Sequence, residues 1–333
     1  MGDNMESDNM ERDNYILGMD IGGTKSAVLL ARTGRKKTDG IEFLERCAVP
    51  TKGSWQEVLG ILALRGGEMV KRHGILPDDC VIGISCGGPL DSGSGVILSP
   101  PNLPGWDEVP ITEYMEQKLG MPARLKNDAD ACALAEWRYG AGQGCRHMIF
   151  LTFGTGLGAG LILNGRLYQG ACGMAGEAGH IRLDQDGPVG YGKAGSFEGF
   201  CSGGGIAQLA RRMAAEALKE GKNVSYSGKK GLDFITAKDV AEAAECGMED
   251  ALQVYGCSGR YFGRGLAVLI DILNPERIVV GSIFARSGKL MREEMEKELR
   301  KEALPESLAA CTIVPAALGD RIGDYGAVVA ALE

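Results

Sequence analysis

No two of the ten cysteines stand in a Cys-x-x-Cys pair. No secretory signal precedes them, so this scatter excludes a disulfide framework and a zinc-finger pattern. Most of the thiols read as small buried hydrophobes of a reducing, cytoplasmic compartment. Basic charge is also short: 36 Lys and Arg face 44 Asp and Glu, a formal net charge of −8. Phosphate backbones need basic surface, so no nucleic-acid partner is expected. No apolar run approaches the length of a membrane span, and no membrane partner is expected. Residues 1–14 are polar and acidic and contain a small repeat, Asp3-Asn4-Met5-Glu6 and Asp8-Asn9-Met10-Glu11. That composition predicts a disordered leader.

Glycine, by contrast, is abundant at 51 of 333 residues, which points to many tight loops. An apolar run over 15–20 leads into Gly22-Gly23-Thr24-Lys25, and a second apolar run follows over 26–31. This predicts a hairpin with a Gly-rich turn. Strands are expected at 41–50, 81–85 and 123–126, and helices at 54–72, 111–119 and 129–139. Ser54 with Glu57 three residues on is a capping box for the first helix. The opening pattern then returns: an apolar run over 148–152, the turn Gly154-Thr155-Gly156-Leu157-Gly158, and an apolar run over 159–163. Two such units imply a duplicated domain. Helices at 237–245, 251–271, 290–303 and 325–332 alternate with strands at 277–280 and 311–315, which makes the fold class α/β. The repeat sets a domain boundary near Ala123.

Three places carry chemistry. Glycines after a strand let backbone N–H groups approach phosphate oxygens, so Gly22, Gly23, Thr24 and Lys25 form a candidate phosphate loop. Asp20, directly before it, could hold Mg²⁺, directly or through water. Gly154, Thr155 and Gly156 form a second such loop. Either could instead be an ordinary hairpin turn. Asn127-Asp128 sits at a strand end before a helix, where an Asp is often only an N-cap. Two decoys fail. Gly187 to Lys193 fits the spacing GxxxxGK, but Ala194 replaces the hydroxyl that would hold Mg²⁺. The glycines from Gly154 to Gly160 miss the dinucleotide-binding spacing, because Ala159 stands where the third glycine belongs.

Six motifs in order resemble the ROK family (repressors, open reading frames, kinases) of the actin-like ATPase superfamily. They are Asp20-Ile21-Gly22-Gly23-Thr24-Lys25, Ser99-Pro100-Pro101-Asn102-Leu103-Pro104-Gly105-Trp106, Asn127-Asp128-Ala129-Asp130-Ala131, Phe153-Gly154-Thr155-Gly156-Leu157-Gly158, Gly176-Glu177-Ala178-Gly179-His180 and Asn274-Pro275-Glu276-Arg277-Ile278-Val279-Val280-Gly281. The resemblance implies two RNase H-like domains around a central cleft, with the last helix returning to the first domain. With the boundary near Ala123, this implies a smaller N-terminal α/β domain over 15–122 plus 318–333 and a larger one over 123–317. It implies an ATP- and Mg²⁺-dependent sugar kinase, with a hexose as substrate and a homodimer as assembly. Asp128 would be the catalytic base, with Asn102, Asn127, Glu177, His180 and Glu198 around the sugar. Gly281 and Ser282 match the family's adenosine-side loop.

One departure stands out. The family carries a Cys-Gly-Cys-Gly-x-x-Gly-Cys zinc site. Here Val189, Tyr191 and Ser196 replace the three thiolates, while the glycine frame and Glu198 remain. No structural zinc is expected. A glucokinase-like enzyme is the leading expectation. A kinase for another sugar, such as fructose or N-acetylmannosamine, and a sugar-binding member without catalysis are the alternatives. A DNA-binding repressor is not expected, since the first core strand begins near Tyr15 and charge is acidic.

Overall fold

The structure is a computed structural model and describes residues 14–34, 40–227 and 231–333. The expected leader lies outside the described residues, except that Asn14 already pairs with Thr33. The polar stretch 221–230 is likewise described only to 227.

The described residues form two compact units, those up to 131 with 323–333 and those from 132 to 322. In the first, β1 (Asn14–Ile21), β2 (Lys25–Thr33), β3 (Ile41–Pro50), β4 (Cys80–Cys86) and β7 (Ala123–Asn127) make one sheet in the order β3-β2-β1-β4-β7. The first three strands are antiparallel, and β4 and β7 join parallel to β1. Helix α1 (Trp55–Arg72) starts at the expected capping box: Ser54 N–H donates to Glu57 Oε2 at 2.7 Å, and Glu57 N–H donates to Ser54 Oγ at 3.3 Å. The small hairpin β5 (Leu90–Asp91) and β6 (Val96–Ile97) leads to α2 (Ile111–Leu119). Leu17, Met19, Val28, Leu59, Leu62, Ile82 and Ile84 are buried in this unit's core.

Helix α3 (Asp128–Tyr139) leads into the second unit. There β8 (Met148–Leu151), β9 (Ala159–Leu163) and β10 (Arg166–Tyr168) are antiparallel. A hairpin of β11 (Val189–Gly190) and β12 (Lys193–Ala194) precedes α4 (Phe197–Phe200), α5 (Gly203–Lys219), α6 (Ala237–Glu245) and α7 (Glu249–Leu273). Strand β13 (Arg277–Val280), α8 (Ile283–Glu302), α9 (Pro305–Ala310), β14 (Thr312–Pro315) and α10 (Ile322–Ala330) complete the chain. The second sheet has the order β10-β9-β8-β13-β14, with β13 and β14 parallel to β8. Each sheet therefore has three antiparallel strands followed by two parallel ones, in the same order. That is the duplication expected from the repeated strand–glycine turn–strand pattern.

Two details differ from the sequence expectation. Strand β7, expected to open the second domain, pairs with β4 from Ile82↔Ala123 to Cys86↔Asn127 and so belongs to the first sheet. Helix α8 begins at Ile283 and not near 290. Ser287 and Gly288 are poor helix formers, but the Phe284 ring folds over Gly288, where a Cβ would lie 3.1 Å from it. Burial of that ring carries the helix through two poor formers. No helix among the described residues is long and apolar enough to cross a membrane.

Candidate active site

In the first unit the chemistry collects at the strand ends. β1 ends on Asp20 and Ile21, and the Gly22-Gly23-Thr24 turn follows. The parallel neighbour β4 ends in Cys86, and its exit, Gly87-Gly88, is a platform with little side-chain bulk. A Cβ built on Gly87 would lie 3.2 Å from Asn102 Nδ2 and 3.7 Å from Asp128 Oδ2, and one on Gly88 would lie 3.0 Å from Asn127 Nδ2. Two amides and a carboxylate thus converge over one stretch of glycine backbone. Asn102 and Asp128 are both solvent-accessible.

Asp128 has divided duties. Its Oδ1 accepts Ala129 N–H at 2.8 Å, sharing that donor with Asn127 Oδ1 at 2.9 Å. This is the helix-start role expected of an Asp in this position. The other oxygen, Oδ2, is the one directed toward Gly87. Desolvation by dense surrounding protein raises the Asp128 pKa, against the lowering effect of the Ala129 and Asp128 backbone N–H groups. The carboxylate is nevertheless open to solvent by surface area. For reactivity the accessible surface decides which groups can reach it, and the crowding only tunes its proton affinity.

Asp20 lies in the same neighbourhood. Its pKa is raised from 3.8 to about 6, first by burial and then by the charges of Asp128 and Asp324, with Arg46 opposing. Arg46 Nε donates to both oxygens of buried Asp324, at 2.8 and 3.0 Å. The hydroxyl of Ser85, directly opposite Asp20 in the β1–β4 register, is buried and has no hydrogen-bond partner. A carboxylate with two acidic neighbours beside an orphaned hydroxyl is compatible with a hydrated cation. No group of three or more His, Cys, Asp or Glu among the described residues could hold a metal by itself. Asp20, beside the Ser85 hydroxyl, could offer an ion such as Mg²⁺ one carboxylate, the rest of its shell coming from water and phosphate oxygens.

The second unit gathers the remaining candidates. The Phe153–Gly158 turn is pinned from three sides. Ile283 N–H donates to Phe153 C=O at 2.8 Å, Gly203 N–H to Gly154 C=O at 2.8 Å, and Leu157 N–H to Glu198 Oε2 at 2.9 Å. Ser282 Oγ lies 3.8 Å from the Cβ position of Gly154, so the Gly281-Ser282 segment and the Gly-Thr turn are neighbours. The turn carrying Glu177 and His180 is tied to the same frame: Ala159 N–H donates to Gly176 C=O at 2.8 Å, and Phe197 N–H to Ile181 C=O at 2.8 Å. Gly154, Thr155, Gly156, Glu177, His180, Glu198, Gly281 and Ser282 thus belong to one neighbourhood. Asp20, Gly22, Gly23, Thr24, Lys25, Asn102, Asn127 and Asp128 belong to the other unit. The place of Gly87-Gly88 beneath Asn102 and Asp128 depends on a sheet edge that spacing does not reveal.

The zinc register does not fit zinc. Val189 offers no donor atom. Ser196 is fully buried, and its hydroxyl accepts Gly199 N–H at 3.1 Å as the N-cap of α4. Tyr191 packs edge-on against His180 at 5.0 Å. The GxxxxGK decoy at Gly187 to Lys193 falls in the β11–β12 hairpin, without the strand–loop–helix setting of a phosphate loop.

A duplicated sheet of this topology, with an Asp-Ile-Gly-Gly-Thr turn in its first copy, defines the actin-like ATPase fold. The ROK family profile matches residues 16–333, and the chain belongs to that family. It is 31% identical to a glucokinase of Halalkalibacterium halodurans over 319 residues, covering 94% of each chain. The structure of a ROK family glucokinase from Streptomyces griseus, in complex with glucose and AMPPNP, superimposes with a TM-score of 0.75 at 29% identity and covers 96% of this chain and 99% of that one. Similarity also extends to a xylose repressor of Caldicellulosiruptor bescii, 30% identical over 74% of this chain and 61% of the repressor.

Proposed function

We propose that the protein is an ATP-dependent hexose kinase, glucokinase-like in substrate, with Asp128 as the base on the sugar's terminal hydroxyl. The observation that carries this reading is the convergence of Asn102, Asn127 and Asp128 Oδ2 over Gly87-Gly88. Amides orient a hydroxyl by giving and accepting hydrogen bonds, and the carboxylate takes its proton as the oxygen attacks the γ-phosphate. The glucokinases among its relatives support the substrate class, and the AMPPNP complex of the Streptomyces griseus enzyme supports ATP as donor. In this reading Gly22, Gly23, Thr24, Lys25, Gly154, Thr155 and Gly156 give phosphate contacts. Glu177, His180 and Glu198 hold sugar hydroxyls, and Gly281 with Ser282 faces the adenosine. Mg²⁺ bound with ATP would neutralise charge on the transferring phosphoryl group. Asp20 would hold that ion through its carboxylate or a water. A cytoplasmic homodimer belongs to the same reading.

A coupled assay of ADP release across glucose, fructose, mannose and N-acetylmannosamine tests it. Sugar-dependent turnover by wild type, lost in Asp128→Asn, is the expected result. Sugar binding without turnover would instead favour a non-catalytic family member.

A further inference from the structure

The hairpin β11–β12 puts Val189 and Tyr191, no donor and a poor one, in the register of the family's zinc site, yet it lies against Glu198 and His180. We infer that the side chain of Gln208, on α5, acts as a positioning residue that does the metal's work of holding this hairpin and, through it, the sugar-facing groups. The inference rests on the hexose-kinase reading for its functional half.

Gln208 is suited to the task because a carboxamide carries a donor and an acceptor side by side. Val189 N–H donates to Gln208 Oε1 at 3.0 Å, and Gln208 Nε2 donates to Val189 C=O at 2.9 Å. This is the pairing another strand would give the edge of β11. The neighbouring Gly190 is pressed onto the start of α4. A Cβ there would lie 2.6 Å from Gly199 N, 2.8 Å from Glu198 Cβ and 2.8 Å from Ser196 Oγ. The Ser196 hydroxyl donates to Gly190 C=O at 3.4 Å, and Glu198 on the same turn accepts Leu157 N–H at 2.9 Å. A line of direct contacts therefore runs from Gln208 through Val189 and Gly190 to Glu198 and the Gly-Thr turn. On the hairpin's other strand, the Lys193 ammonium donates to His180 C=O at 2.8 Å, and Tyr191 packs on the His180 ring.

The root of the brace is itself fixed. Ser202 caps α5 by accepting Gly205 N–H at 3.0 Å, and Gly203 N–H at the head of α5 meets Gly154 C=O. Gln208 thus projects from a helix anchored on the phosphate-side turn and reaches the hairpin. Outer partners of this kind orient the groups that touch substrate without touching it themselves. A metal ion would hold the same loop by coordination. Here neutral hydrogen bonds and one ammonium hold it, and zinc plays no part.

The test uses the full chain without a metal-affinity tag. Gln208→Met keeps the length of the side chain and removes both hydrogen bonds. Gln208→Glu keeps its size but sets a carboxylate oxygen against Val189 C=O. Hydrogen exchange across residues 187–196 is read by mass spectrometry, alongside steady-state KM values for glucose and ATP. Both variants should exchange this segment faster, by roughly ten-fold, since each lost hydrogen bond makes a modest net contribution. Peptides of α7 and the first sheet should be unchanged. The glucose KM should rise by about ten-fold, with the ATP KM within about two-fold. Unchanged exchange over 187–196 overturns the brace whatever the activity does. Faster exchange with an unmoved glucose KM overturns its link to the site. Recovery of a variant on adding zinc would overturn the metal-free assignment. A wild-type protein that phosphorylates no hexose sinks the kinase reading separately, and the exchange data still decide whether Gln208 holds the hairpin.

Discussion

The Asp20 carboxylate occupies the space a side chain at Gly323 would need: a Cβ on Gly323 would fall 2.5 Å from Asp20 Oδ2. Gly323 is the second residue of α10, and Asp324 beside it is locked by Arg46. The start of the last helix therefore sets where Asp20 can point. Burial first, and then its negative neighbours Asp128 and Asp324, raise the proton affinity of Asp20.

Gly323→Ala should therefore impair the reaction without unfolding the protein. Alanine is the better helix former by about 1 kcal/mol, which offsets part of the clash. The carboxylate must move instead. The expected outcome is a melting temperature close to wild type, with the Mg²⁺ concentration for half-maximal activity raised roughly ten-fold, as for loss of a supporting contact around a metal ligand. A Mg²⁺ titration identical to wild type would show that Asp20 does not need this space.

Asp20→Asn should stabilise the metal-free protein while weakening its Mg²⁺-dependent activity. The folded carboxyl titrates at about 6, against 3.8 ordinarily. The folded state thus binds this proton more tightly than the unfolded chain does. The stability tied to that proton is fully present below pH 3.8 and is lost as pH rises through about 6. At pH about 7.5 wild type bears a cost on the order of 1–3 kcal/mol that the amide lacks. Thermal melts in EDTA should show the variant more stable at pH about 7.5 and equal to wild type below pH about 4. A constant difference across that range would detach the effect from Asp20 titration. In wild type, Mg²⁺ affinity should fall as pH drops through about 6, because proton and cation compete for one carboxylate.

Asp128→Asn separates its two duties. The amide oxygen can still accept Ala129 N–H, so the start of α3 is kept. The base is gone, and kcat should fall by about 10²–10⁴-fold with the circular dichroism spectrum and melting temperature little changed. Near-normal kcat would return Asp128 to the status of a helix cap.

Much of this was legible in sequence, for reasons that differ by residue. Asp20 and Asp128 sit where a short apolar or strand-like run ends, and local pattern locates such positions. Ser54 and Glu57 declare the start of α1 because a capping box is a local contact within one helical turn. The repeat of a hairpin around Gly22-Gly23 and Gly154-Thr155-Gly156 announced two like sheets. What stayed hidden depends on long-range contact. β7 joins the first sheet by pairing with β4, in a register that begins at Ile82↔Ala123, and no local period marks that partner. Glu136, fully buried in α3, accepts the N–H groups of Ala317 and Leu318, and nothing in its helical surroundings marks it. Gln208 reads as one more polar residue on an amphipathic helix.

The last prediction concerns Glu198. Its Oε2 accepts Leu157 N–H at 2.9 Å and lies 2.6 Å from where a Gly156 Cβ would be. That contact ties the carboxylate to the Gly-Thr turn, so simple deletion would disturb phosphate and sugar contacts together. Glu198→Gln avoids this, since an amide oxygen can still accept the Leu157 donor while the charge and one acceptor are lost. Glu177, exposed on the neighbouring turn, offers a second carboxylate for comparison. In calorimetric titrations Glu198→Gln should weaken glucose binding by about 1–3 kcal/mol, the usual cost of leaving a partner unsatisfied, and leave AMPPNP affinity nearly unchanged. Glu198→Ala should weaken both, because the turn loses its anchor. If Glu198→Gln leaves glucose affinity intact while Glu198→Ala weakens binding of both ligands, Glu198 braces the turn and does not face the sugar.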